Sequence, residues 1–136
     1  MLPFEFVVDG PPVSHQTRRR ARLRAWKAAV LAAATIRWTP GDVPAEDPVS
    51  VEITHFYEGA AGDVDNIIKP ILDAIKGLVL ADDSLVTDVV CRRRPLAGPF
   101  QADPVSPALA DGLAGSREFL HVRVASSPAG GELRFL

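Results

Sequence analysis

The 136-residue chain has little cysteine, little histidine and no long apolar run, and each scarcity removes a class of function. One cysteine, Cys91, cannot make an internal disulfide framework, and without a CxxC partner it belongs to no redox or zinc pattern. With no obvious histidine base it reads as a buried apolar residue of a strand rather than a nucleophile. The histidines, His15, His55 and His121, fall on separate segments without ligand spacing, which argues for structural roles. The opening MLPFEFVVDG holds a Glu and an Asp and no cationic lead, so neither a signal peptide nor a membrane span is expected. A reducing cytoplasm is the expected compartment. No internal repeat appears, and 47% hydrophobic with 24% charged residues suits one globular domain over residues 1–136.

Overall positive charge is also lacking. The formal net charge is −2, which argues against nucleic-acid binding until its distribution is followed. Between His15 and Lys27 stand Arg18, Arg19, Arg20, Arg22, Arg24 and Lys27 with no acid among them, and Arg92, Arg93 and Arg94 make a second cluster. Single-sign clusters of this kind are the footprint of phosphate-backbone contact, so both are expected to meet DNA. Trp26 and Trp38, on an Ala-rich stretch, read as core anchors rather than base-stacking platforms.

The richest chemistry lies between Gly62 and Val89. Asp63, Asp65, Asp82, Asp83 and Lys69 are spaced so that a helix of about four turns and a tight reversal would return the second Asp pair to the first. Gathered carboxylates repel one another unless a cation lies among them, and hard oxygen donors suit Mg²⁺ or Mn²⁺. Such an arrangement serves phosphodiester cleavage. A lone D-x-D is common, but the extended pattern with Asn66, Lys69 and the later Asp pair is far more specific. Asp73, one turn after Lys69, reads as its helical salt-bridge partner.

This stretch resembles the signature of the RusA-like Holliday junction resolvases, in which a D-x-D-N-x-x-K run opens a helix and a D-D-x-x-V segment follows. Here the run is Asp63, Val64, Asp65, Asn66, Ile67, Ile68, Lys69, and the segment is Asp82, Asp83, Ser84, Leu85, Val86. The resemblance implies that Asp63, Asp65 and Asp83 are metal-binding catalytic carboxylates, with Asp82 assisting, and that Lys69 is the catalytic lysine. It implies Mg²⁺ as cofactor with Mn²⁺ as substitute, four-way junction DNA as substrate, and a homodimer making paired symmetric nicks in recombination and repair. Two other readings stay open: a nuclease for flaps or forks, and a non-catalytic junction-binding module.

The expected fold class is α+β, in the order β-α-β-α-β-β, with a small mixed sheet of about four strands and two main helices. Phe4, Phe6 and Val8 alternate into a turn at Gly10, Pro11 and Pro12. Helical periodicity starts near Thr17, places Leu23, Trp26 and Val30 on one side, and stops at Pro40 and Gly41. Strands are expected from Val49 to Tyr57, Val86 to Arg94 and Phe119 to Ala125. The motif helix carries Ile67, Ile68, Ile71, Leu72 and Ile75 as its core stripe. Pro70 predicts a distorted first turn through Asn66 to Lys69, Asp63 or Asp65 is expected to cap the helix, and Gly77 to end it. Residues 95–116, rich in Pro, Ala and Gly, are expected to form a long loop insert, and the tail after Ser126 to be loosely held.

Overall fold

The computed structural model describes residues 1–133 and 135, and its architecture follows from where the apolar periodicity changes. A period of two forms β1 (Phe4–Asp9), β2 (Val49–Tyr57) and β4 (Phe119–Ser126). A helical period forms α1 (Arg20–Arg37) and α2 (Ile68–Ile75), the latter preceded by a 3₁₀ turn at Val64–Ile67. A second 3₁₀ turn, Asp83–Leu85, leads into β3 (Val86–Pro95). The four strands make one sheet in the order β1-β4-β2-β3, antiparallel except for the parallel pair β2 and β3. A parallel pair needs a crossover, and the acid loop with α2 supplies it.

α1 packs against α2 and β1 on one face of the sheet. There Phe6, Val51, Ile53, Val122 and Val124 meet Leu23, Trp26, Val30, Ile71 and Ile75, all buried. Each such side chain contributes about 1.5–3 kcal/mol by leaving water. Trp38 closes the edge of this core, its ring 4.9 Å from Phe4 in an edge-to-face contact. Both tryptophans are therefore core residues.

The α+β class and the mixed sheet are as expected, and the expected order holds except for one added helix before the last strand. Residues 95–116 are not one loop: α3 (Pro107–Ala114) lies within them and packs on β1 and β4 over the opposite sheet face. Its start is defined by Ser106, whose hydroxyl accepts from the Leu109 N–H at 3.1 Å, and by Pro107 in the first turn. Leu109 then joins Phe56 and Phe119 in a second small core. Eight residues containing Gly112 and Asp111 give too short and weak a period to be seen against the surrounding Pro and Gly.

Two boundaries also move. α1 begins at Arg20 rather than Thr17, because the Thr17 hydroxyl accepts from the Arg19 N–H (3.2 Å) and holds a turn in competition with the helix. The motif helix does start distorted, and Pro70 falls at its third residue, where a missing N–H removes no helical bond. Neither Asp63 nor Asp65 caps it: Asp63 precedes the 3₁₀ turn with no side-chain cap bond, and its carbonyl accepts from the Asn66 N–H instead. Gly77, at φ 92°, follows the helix end, its N–H donating to the Leu80 carbonyl. Beyond Ser126 a 3₁₀ turn spans Ala129–Gly131, and Arg134 and Leu136 of the expected loose tail lie outside the described residues. No described helix is long and apolar enough to cross a membrane.

Candidate active site

The acids of the motif stand at two 3₁₀ turns, Val64–Ile67 and Asp83–Leu85. Asp82 and Asp83 stand at the start of the turn that leads into β3, while the segment carrying Asp63 and Asp65 lies beside Cys91 and Arg93. α2 is shorter than the four turns expected, and after it the chain brings Asp83 to Lys69 and Asp82 to Lys76. Among the described residues no three His, Cys, Asp or Glu side chains are grouped as a metal cluster would be.

Lys69 is the hub of one charged group. Its ammonium lies 2.7 Å from Asp83 Oδ2 and 2.8 Å from Asp73 Oδ1, and the other oxygen of Asp73 is 3.2 Å from Lys27 Nζ. A continuous chain Lys27–Asp73–Lys69–Asp83 thus links α1, α2 and the turn before β3. Hydrogen bonds that the Lys69 ammonium donates to Asp73 and Asp83 raise it above the ordinary lysine range. Burial pushes the Asp73 carboxyl up, yet its two lysines outweigh that and hold it below the usual value. Asp73 does form the helical pair expected of it. Lys27, expected on DNA, is engaged here.

Asp82 sits on a separate lysine, 2.9 Å from Lys76 Nζ, and accepts from the Ser84 N–H at 3.1 Å. Ser84 first and Lys76 second hold its carboxyl well below the ordinary range, and Asp82 in turn raises Lys76. Asp63 and Asp65 differ: both are exposed, and neither has an ion pair or side-chain hydrogen bond among the described residues. These are two hard-oxygen donors without a protein cation. Mg²⁺ is commonly held by one or two carboxylates with waters and substrate phosphate completing the shell, so this pair fits such an ion without a third protein ligand. Asp82 and Asp83 would have to exchange a lysine contact to join it.

The side-chain alternation of β3 splits the second arginine cluster. Arg92 and Arg94 stand opposite Thr54 and Phe56 on the face bearing α3, where with Glu5, Glu52, His121 and Arg123 they line a pocket of about 490 Å³. Arg92 is committed there to Glu52 (3.3 Å) and the Thr54 hydroxyl (3.2 Å). Arg93 points the other way and donates to the Gly62 carbonyl at 3.0 Å. The first cluster behaves as a surface: Arg18, Arg19, Arg20, Arg22 and Arg24 are all exposed, with no salt bridge among the described residues. Its start is tied to the acid segment by the His15 N–H, which donates to the Asn66 carbonyl at 2.9 Å.

Cys91 is only partly buried, and its thiol donates to the Val64 carbonyl at 3.4 Å. Burial pushes that thiol up to about 11, outweighing the opposing pull of Arg92, and the Asp65 charge adds a smaller push in the same direction as burial. His55 and His121 have structural partners, Glu118 at 2.5 Å and Glu5 at 2.6 Å. Reasoning from sequence missed the tethers from Cys91 and Arg93. The available signal was their spacing of two, equal to that of Asp63 and Asp65.

A family model of the endodeoxyribonuclease RusA matches residues 10–99. The chain belongs to the RusA endodeoxyribonuclease family. That places it among DNA-cleaving hydrolases. No curated protein matches the chain. The RusA match takes in the basic run, all the motif acids, Lys69 and β3, and ends before α3.

Proposed function

We propose that this RusA-family protein is a divalent-cation-dependent endonuclease that resolves four-way DNA junctions by paired symmetric nicks. One observation carries the reading. Within the matched region, two carboxylates without a protein cation, Asp63 and Asp65, stand on a segment tied by Asn66 to an exposed run of five arginines. The arginines would hold the phosphate backbone, and their tether would bring it to the acids.

In this reading Asp63 and Asp65 hold Mg²⁺, or Mn²⁺ in its place, with Asp82 and Asp83 as further ligands on release from their lysines. When bound, such an ion supplies positive charge against the scissile phosphate. Lys69 adds a fixed positive charge for the negative charge that develops there, and its two carboxylates hold the ammonium in one place. A homodimer is proposed because two symmetric nicks in a nearly two-fold junction need two related sites.

The test is nicking of a labelled mobile junction and a labelled immobile one with Mg²⁺ or Mn²⁺, beside fork, flap and linear duplex, by wild type and Asp65→Asn. Paired nicks in the junction, lost in the variant while binding survives, are expected. Equal cutting of forks or flaps would shift the substrate to branched DNA in general. Tight junction binding with no cleavage in either metal would make the protein a binding module.

A further inference from the structure

The loop leading to Asp63 has no anchor of its own. Gly59 to Gly62 reads Gly-Ala-Ala-Gly, Gly59 adopts φ +67°, and Gly62 is exposed. Small side chains leave such a segment conformationally free. Asp63 and Asp65 also repel each other, which favours spreading of the loop. The 3₁₀ turn and the His15 N–H hold the far side of this segment at Asn66, and the Gly-rich near side needs a separate hold.

β3 supplies the hold. The Arg93 Nη1–H donates to the Gly62 carbonyl at 3.0 Å, and the Cys91 thiol donates to the Val64 carbonyl at 3.4 Å. Those carbonyls belong to the peptide units that enter Asp63 and Asp65. Residues two apart on a strand share a face, so Cys91 and Arg93 present a spacing matched to the two aspartates. Their neighbours Arg92 and Arg94 face the other side of the sheet and cannot substitute.

We infer that Arg93 is a positioning residue of the nuclease, which with Cys91 fixes the two peptide units that aim Asp63 and Asp65, and is not a DNA-backbone contact. The inference rests on the reading above that these two aspartates serve cleavage. Arg93 suits the task because a guanidinium makes a charge-assisted bond to a carbonyl. Cys91 assists with a weaker donor kept protonated by its surroundings.

Wild type, Arg93→Ala and Cys91→Ala are compared in three measurements: single-turnover nicking of a four-way junction, Mn²⁺ binding to the DNA-free protein by calorimetry, and junction affinity across a salt series. For Arg93→Ala the expected result is nicking about 10–100-fold slower with KM within about twofold, the scale of a small misplacement of catalytic groups. Mn²⁺ binding weakens several-fold, and the salt slope of junction binding is unchanged. Cys91→Ala, which removes no formal charge, moves nicking and Mn²⁺ binding the same way by less. A salt slope lower by about 0.9 with nicking rate and Mn²⁺ affinity intact would make Arg93 a phosphate contact and overturn the inference. A wild type that nicks nothing overturns the nuclease reading and this inference with it, whereas normal nicking by both wild type and Arg93→Ala overturns the inference alone.

Discussion

Lys69 Nζ lies 2.7 Å from Asp83 Oδ2, so the lysine of the motif helix is held by the last acid of the motif, not left loose above the site. The same ammonium is shared with Asp73, and Asp73 with Lys27. Removing Lys69 therefore has two separable effects. Lys69→Met should slow junction nicking by about 10²–10³-fold, the usual loss of one charge-stabilising group. Its effect on stability should stay within about 1 kcal/mol, because half-exposed ion pairs are screened by solvent. Nicking rates and urea denaturation of the same preparation check both, and a variant that nicks normally would remove Lys69 from the chemistry.

The pH dependence of this network has a definite sign. Asp73 is depressed in the folded protein, so its contribution is present above its ordinary value of 3.8 and is lost as pH falls through the lower folded value. Lys69 is raised, so its contribution is full below its ordinary value of 10.5 and is lost as pH rises through the higher folded value. Between those limits the network contributes a constant amount. The stability difference between wild type and Asp73→Asn should be flat from about pH 5 to pH 9 and shrink below about pH 4, measured by urea denaturation at each pH.

Basic residues that looked equivalent in the chain should separate in salt titrations. Arg18, Arg19 and Arg20 are exposed and carry no salt bridge among the described residues, whereas Lys27 is paired with Asp73. Replacing the three arginines by Ala should flatten the dependence of log affinity on log salt by about 2.7, three phosphate contacts at about 0.9 each. Lys27→Ala should leave the slope unchanged. Junction binding between about 50 and 200 mM salt spans the range where such contacts matter most. An unchanged slope in the triple variant would make the arginines ordinary surface residues.

Cys91 gives a chemical readout of the acid loop. Its thiol is pushed to about 11 from an ordinary 9.0, so at pH 8 its thiolate fraction falls about 100-fold. Since the thiolate is the nucleophile, alkylation by iodoacetamide at pH 8 should be about 100-fold slower than in the guanidine-unfolded chain. Mass spectrometry at timed intervals measures this. Comparable rates in both states would mean that Cys91 is neither shielded nor placed beside the Asp65 charge.

Local pattern carried the strands and the motif helix, since alternation in Phe4 to Val8 or Leu120 to Val124 depends only on neighbouring residues. The distorted start of α2 was legible because Pro70 constrains its own backbone. What sequence could not supply was pairing across distance. Nothing local distinguishes Lys27 from the arginines before it, and only the packing of α1 on α2 brings it to Asp73. Likewise alternation along β3 separates Arg93 from Arg92 and Arg94, but only the pairing of β3 with β2 shows which partners each side meets. That Asp83 would meet Lys69 and Asp82 would meet Lys76 depends on the path of the chain after α2, which the spacing of residues does not encode.

The insert offers the sharpest check on the fold. A Cβ built on Gly112 would lie 2.3 Å from the Phe119 ring, and that ring is buried and stacked on Phe56 at 4.7 Å. Phe119 cannot swing aside without opening the second core. Gly112→Ala should gain up to about 1 kcal/mol of helix propensity and lose about 1–3 kcal/mol to overpacking, for a net loss. Ala114 in the same helix offers the control, since Ala114→Gly removes propensity without adding an atom. Urea denaturation should show both variants destabilised, Gly112→Ala with altered near-UV ellipticity from the displaced aromatic pair and Ala114→Gly without it. A stabilised Gly112→Ala would mean that α3 does not sit on Phe119 at this distance.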